Sequence, residues 1–259
     1  MFTIQKIEEN IISVSAEITL EKLYQQLNGF ELFIEPLSQK KTLKDFIAEG
    51  GLGYNSLKEG TFSSKIYKIK NKINKSYFEY GSNNMSLYNV GYPLHRIVDN
   101  PFFNLTKVDF GTIEKITLPI RKKQNIKITY IKKDTNIIIP EFATNVIYVN
   151  NIGANLLGLN ESGIIIFHPN EFQLDGELKN EIEKKKFIED FIPKENCTLK
   201  ILTMKSNLPK IYELAEKNNS LFFALFTNLG ILVLISSNEE KIKEIKNSIN
   251  YPMTWFLTK

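Results

Sequence analysis

Glu49-Gly50-Gly51-Leu52-Gly53-Tyr54-Asn55-Ser56-Leu57-Lys58-Glu59-Gly60-Thr61-Phe62 carries four of the chain's 13 glycines, with small hydroxyl residues set between them. Glycines this dense mark a backbone that turns at positive φ, or one that something approaches too closely for a side chain. Two readings follow from the spacing alone. One is a tight surface loop. The other is a loop whose N–H groups converge on a phosphate-bearing ligand.

The rest of the chain narrows the setting. Its 259 residues suffice for one large or two small domains. Hydrophobic residues make up 42% and charged residues 24%, as in ordinary globular proteins, and the net charge is +4. The basic runs Arg121-Lys122-Lys123 and Lys184-Lys185-Lys186 are short and read as solvated faces, which argues against a nucleic-acid or membrane footprint. One cysteine, Cys197, excludes an intrachain disulfide and a Cys-rich metal or iron–sulfur site. Residues 1–15 lack a basic start followed by an apolar run, so the sequence predicts no secretory leader and a cytoplasmic location. The longest apolar stretches, 164–167 and 229–235, are strand-length and too short to span a bilayer.

Periodicity assigns elements on both sides of the glycine run. Residues 11–14 read as a strand, and Leu20, Leu23, Tyr24 and Leu27 fall on one helical face, with Thr19 as cap and Gly29 as stop. Residues 64–73 and 75–81 alternate as a hairpin, and 113–120 form a further strand. A second domain opens near Asn125 with strands at 126–131, 146–149 and 163–167, then a helix after Asp175 carrying Leu178, Ile182, Phe187, Ile188 and Phe191. The last 65 residues read as strand 198–204, helix 208–217, strands 221–227 and 230–236, helix 239–249 capped by Ser237 or Asn238, and strand 253–257. That order, β-α-β-β-α-β, is the ferredoxin-like arrangement.

Catalytic groups are sparse. His95 lies in a turn and His168 ends an apolar run before Pro169; their separation supports no metal site, and a histidine at a strand end is commonly a hydrogen-bonded structural residue. Cys197 precedes a core strand and has no histidine partner in the sequence. There is no Gly-x-Ser-x-Gly elbow and no Walker-type phosphate loop. Gly50-Gly51-Leu52-Gly53 follows no apolar strand and lacks the third glycine of a Rossmann fingerprint. Any chemistry here therefore needs a cofactor.

The segment Thr42-Leu43-Lys44-Asp45-Phe46-Ile47-Ala48 and the glycine run that follows it resemble the flavin-binding loop of the FAD-linked oxidase family, the vanillyl-alcohol oxidase/PCMH superfamily that includes glycolate oxidase and D-lactate dehydrogenase subunits. Residues 17–23 are similar to the strand-then-helix element before that loop, Pro36 stands where a proline introduces it, and 111–118 resemble the end of the family's FAD domain. The resemblance implies an α+β chain: a truncated PCMH-type FAD-binding domain over 1–124, then a ferredoxin-like cap or substrate domain over 125–259. It implies FAD as cofactor, contacted by Thr42, Gly50, Gly51, Gly53, Ser56, Gly60 and Thr61, with Pro36 shaping the entry and Ile113 offering backbone groups near the adenine.

Departures from the family pattern bear on function. The family's N-terminal subdomain, with its own glycine-rich loop, has no counterpart in this sequence. Leu43-Lys44-Asp45 replaces the usual Ile-Gly-Gly, so side chains stand where glycines admit the cofactor, and Asp45 repels phosphate unless Lys44 compensates. Gly111-Thr112-Ile113 lacks the pattern's second glycine. The resemblance thus implies an FAD-binding subunit of an oxidoreductase complex, related to 2-hydroxy-acid oxidases, with a partner chain completing the flavin site. Arg96 and His95 are then the candidates for substrate carboxylate and proton handling. The alternatives are a non-catalytic, FAD-free structural or assembly subunit of the same descent, and an unrelated α+β binding protein.

Overall fold

A computed structural model describes residues 4–48, 51–73, 76–81, 112–132, 139–178, 187–252 and 254–256. The chain divides into two compact units, Met1–Gly53 with Glu59–Lys123, and Tyr54–Lys58 with Gln124–Lys259. The boundary at 123/124 lies beside the sequence-based division at 124/125. Five residues from the middle of the glycine run, however, belong to the second unit rather than the first.

In the first unit, β1 (Gln5–Glu8), β2 (Ile11–Ser15), β6 (Thr112–Lys122), β4 (Lys68–Ile73) and β5 (Ser76–Gly81) pair in that order, and β3 (Phe30–Leu32) joins β6. Every pairing is antiparallel. Alternation sends Ile12, Val14, Ile69, Ile116 and Leu118 to one face, where Leu20, Leu23 and Leu27 of α1 (Leu20–Leu27) join the same core. The Thr19 hydroxyl caps α1 by accepting from the Lys22 amide (3.4 Å), and the helix stops at left-handed Asn28, with Gly29 following at φ +87. Each fully buried Leu or Ile in such a core contributes about 1.5–3 kcal/mol.

Two short helices interrupt the stretch that reads as loop: α2 (Leu43–Ala48) and α3 (Ser56–Glu59). Residues 64 and 65, taken with the hairpin from the sequence, lie instead in a 3-10 turn over Phe62–Lys65.

The second unit is built on an antiparallel sheet of eight strands in the order β10-β7-β9-β8-β12-β13-β11-β14. The strands are β7 (Ile126–Lys132), β8 (Asn145–Val149), β9 (Gly163–Pro169), β10 (Glu177–Leu178), β11 (Cys197–Thr203), β12 (Leu221–Thr227), β13 (Gly230–Ser237) and β14 (Trp255–Phe256). Between β11 and β14 the elements run β-α-β-β-α-β, with α5 (Leu208–Lys217) and α6 (Glu239–Ser248) as the helices. This motif is not a separate sheet, because β12 continues through β8 into three further strands. Ile211 and Ala215 of α5 and Ile245 of α6 pack on Ile201, Phe222, Val233 and Ile235 of the sheet. Asn238 is the cap of α6, its side chain accepting from the Lys241 amide (3.0 Å).

Two elements differ from the sequence reading. The helix α4 (Asn151–Leu157) lacks the long apolar period that announces a helix; the Asn150 side chain nucleates it by accepting from the Gly153 amide (2.9 Å). The helix expected after Asp175 does not begin there: Glu177 and Leu178 pair with Tyr130 and Thr129 of β7, and Ile188–Phe191 forms one 3-10 turn. Residues 179–186 of that expected helix lie outside the described residues. Among the described residues no helix is long and apolar enough to cross a membrane.

Candidate functional site

The glycine run folds back on its own neighbourhood. The Gly51 amide donates to the Phe46 carbonyl (3.0 Å) and the Phe62 amide to the Gly51 carbonyl (2.8 Å), which brings the start of the run against its end. The Phe46 and Phe62 rings meet edge-on at 5.2 Å beneath this closure.

Glycine is required at two positions for reasons internal to the chain. Gly51 has φ +60, and a Cβ there would stand 2.7 Å from Cβ of Phe62. A Cβ at Gly53 would stand 2.0 Å from the Glu35 carbonyl oxygen and 3.3 Å from Cα of Pro36. The chain's own atoms, not open space, occupy the volume that the missing side chains vacate. Pro36 packs directly on Gly53.

The remaining candidates are also engaged. Thr42 caps α2: its hydroxyl accepts from the Asp45 amide (3.1 Å) and donates to the Asp45 carboxylate (2.7 Å), which also accepts from the Thr42 amide (3.3 Å). This is a capping box with aspartate at the third helical position. The substitution of Leu43-Lys44-Asp45 for Ile-Gly-Gly is therefore a helix start. Lys44 does not compensate Asp45; its ammonium pairs with Glu17 at 3.1 Å. Ser56 is fully buried, and its carbonyl accepts from the Asn228 amide (3.1 Å). Gly60 takes φ +84 immediately after α3 and ends that helix. The Thr61 carbonyl accepts from the Ser64 amide (3.1 Å) and hydroxyl (2.7 Å), opening the 3-10 turn. Ile113 lies on β6 opposite Asn71 of β4, with its side chain in the first unit's core. Gly50, His95, Arg96 and Gly111 lie outside the described residues.

The electrostatics at the run's exit were not legible in the sequence. Arg121, from a basic run that reads as solvated, is largely buried; it donates to Glu31 through Nε (2.8 Å) and to Glu59 through Nη1 (3.2 Å). Lys65 reaches the other Glu59 oxygen at 2.7 Å. Both cations lie over the Phe33 ring, at 5.2 and 5.3 Å from its centroid. Two cations thus meet two carboxylates in this cluster.

His168 behaves as a structural residue. It is buried; because a carbonyl only accepts, Nδ1 donates to the Pro169 carbonyl (3.1 Å) and Nε2 is left to accept from the Thr129 hydroxyl (2.9 Å). Tyr24 and Tyr148 hold their protons well above the ordinary tyrosine range. Burial is the main cause in both, followed by the charges of Glu35 and Glu31 for Tyr24 and by the hydrogen bond to Tyr212 for Tyr148. Among the described residues no group of three or more His, Cys, Asp or Glu side chains is arranged to hold a metal ion.

No protein-family profile matches this sequence, and no curated protein matches it. Solved structures do. One crystal form of alkyldihydroxyacetonephosphate synthase is similar with a TM-score of 0.63 at 13% identity, and another with 0.60 at 12%; each match covers 95% of this chain. The chain therefore shares the fold of those proteins over the matched residues. The chain spans about three-fifths of those proteins' length, 59% and 61%. At this identity the likeness carries the fold alone.

A pyrophosphate needs converging N–H groups with nothing in front of them. In this run the Gly51 amide is spent on the Phe46 carbonyl, and the Thr42 hydroxyl is committed to Asp45.

Proposed function

We propose that this chain is a non-catalytic relative of the FAD-linked oxidases, a structural or assembly subunit that works beside a redox-active chain. The observation that carries this reading is the Glu35 carbonyl standing where a Cβ of Gly53 would be, since it gives the most flavin-like residue of the run a purpose that needs no flavin.

A second reading keeps the cofactor: an FAD-binding subunit of an oxidoreductase complex, with the rest of the flavin site supplied by a partner chain. What favours it is the fold shared with alkyldihydroxyacetonephosphate synthase over 95% of this chain. A ferredoxin-like cap over a substrate site belongs to this reading.

Expressing the chain alone and with the products of its genomic neighbours, then recording visible spectra of the purified material, decides between the two. The first reading expects no flavin band from this chain in either preparation and a partner that co-purifies. A flavin band that appears only on co-expression, and is lost in Gly53→Ala while the complex persists, would establish the second.

A further inference from the structure

We infer that Tyr54–Lys58, the centre of the glycine run, is a strap that the second unit needs to complete its own packing. The inference stands apart from either reading of the cofactor. These five residues belong to the second unit, whereas Gly53 before them and Glu59 after them belong to the first.

Three separate places in the second unit hold the strap. On β8, the Asn145 side chain accepts from the Asn55 amide and donates through Nδ2 to the Asn55 side-chain oxygen (3.2 Å). Both asparagines are buried, so each supplies the partner that the other would otherwise lack. On β9, the Phe167 ring lies 5.4 Å from that of Tyr54. In the turn between β12 and β13, the Asn228 amide donates to the Ser56 carbonyl. The Lys58 ammonium adds a bond to the Phe142 carbonyl (3.3 Å), and Leu57 packs on the second unit's core. Asn55 itself sits at φ +69, a conformation that asparagine tolerates better than most residues and that turns its amide and side chain to the same partner.

The ends of the run are fixed just as firmly in the first unit. Gly53 abuts the Glu35 carbonyl, and Glu59 is gripped by Arg121 and Lys65. The chain therefore crosses between the units at 53/54, 58/59 and 123/124. Releasing the strap is expected to loosen β8 and the β12–β13 turn while leaving α1 and α2 in place.

Native-state hydrogen exchange on the full chain in mild denaturant tests this directly. The Asn55 and Asn228 amides are expected to exchange in the same opening step as β8 and β9. Exchange of the Asn55 amide together with α2 instead would overturn the inference. Asn55→Gly keeps the left-handed backbone and removes only the carboxamide; it is expected to speed exchange at 54–58 and Asn228 about five- to tenfold with α2 unchanged. Unchanged protection at those amides in a folded Asn55→Gly protein would equally defeat it. The wild-type measurement stands whether or not any variant folds.

Discussion

The carbonyl oxygen of Glu35 lies 2.0 Å from the point where a Cβ of residue 53 would be placed. No side-chain rotation relieves that overlap, because both partners are backbone. Gly53→Ala is therefore expected to cost at least the ~1–3 kcal/mol of an overpacked core. A thermal melt of the purified variant without any ligand checks it. If glycine served only to admit a cofactor, the variant would melt with wild type.

Gly51→Ala meets two obstacles, the positive φ and the Phe62 side chain at 2.7 Å. Phe62→Gly, which alone removes the clashing Cβ, would relieve the second and not the first. The double variant is expected to recover less than half of the loss from Gly51→Ala, after allowing for the ~3–5 kcal/mol of deleting a buried phenylalanine. Denaturant midpoints of the four proteins in the cycle measure it.

Thr42→Ala removes both the hydroxyl acceptor at the start of α2 and the donor to Asp45. It is expected to destabilise by about 1 kcal/mol. Asp45→Ala should do much the same, and the pair together less than the sum, since they act as one capping box. Full additivity in urea melts would show the two side chains acting apart.

Arg121→Met leaves the Glu31 carboxylate largely buried without its guanidinium. The expected loss is at the lower end of the ~3–5 kcal/mol for breaking a buried ion pair, because some solvent reaches the cluster. Adding Glu31→Gln to Arg121→Met is expected to restore part of it. A double variant no more stable than the single one would exclude Glu31 as the main partner.

The buried tyrosines set an alkaline limit. Tyr148 is raised above the ordinary tyrosine value of 10.0, first by burial and then by Tyr212, so the unfolded chain releases this proton before the folded one does. The stability it contributes is whole below the unfolded value and is lost as pH rises from there toward the folded one. Melting temperature should fall from about pH 10 upward. Tyr148→Phe is expected to flatten that fall while slightly lowering stability at neutral pH. An unchanged alkaline slope in the variant would assign the effect elsewhere, with Tyr24 the next group to test.

Much of the fold was legible because it depends on local patterns. The 3.6-residue period of Leu208, Ile211 and Ala215 and the cap at Asn238 are properties of a few consecutive residues, and the observed α5 and α6 follow them. The helix α4 was not, since a seven-residue helix started by one asparagine shows no extended period. Leu178 was misplaced into a helix for the opposite reason: its strand exists only because β7 offers an edge.

The glycine run divides along the same line. By itself the sequence determined that Glu49 to Phe62 must turn sharply and be closely approached, because only glycine allows both. It also carried the likeness of a flavin loop. Only the tertiary structure decided what does the approaching. The Glu35 carbonyl, Phe62 and Asn145 come from 18 residues before Gly53, 11 after Gly51 and 90 after Asn55, and no local period or propensity encodes contacts over such separations. At Gly51 and Gly53, chain packing fills the space that the missing side chains leave.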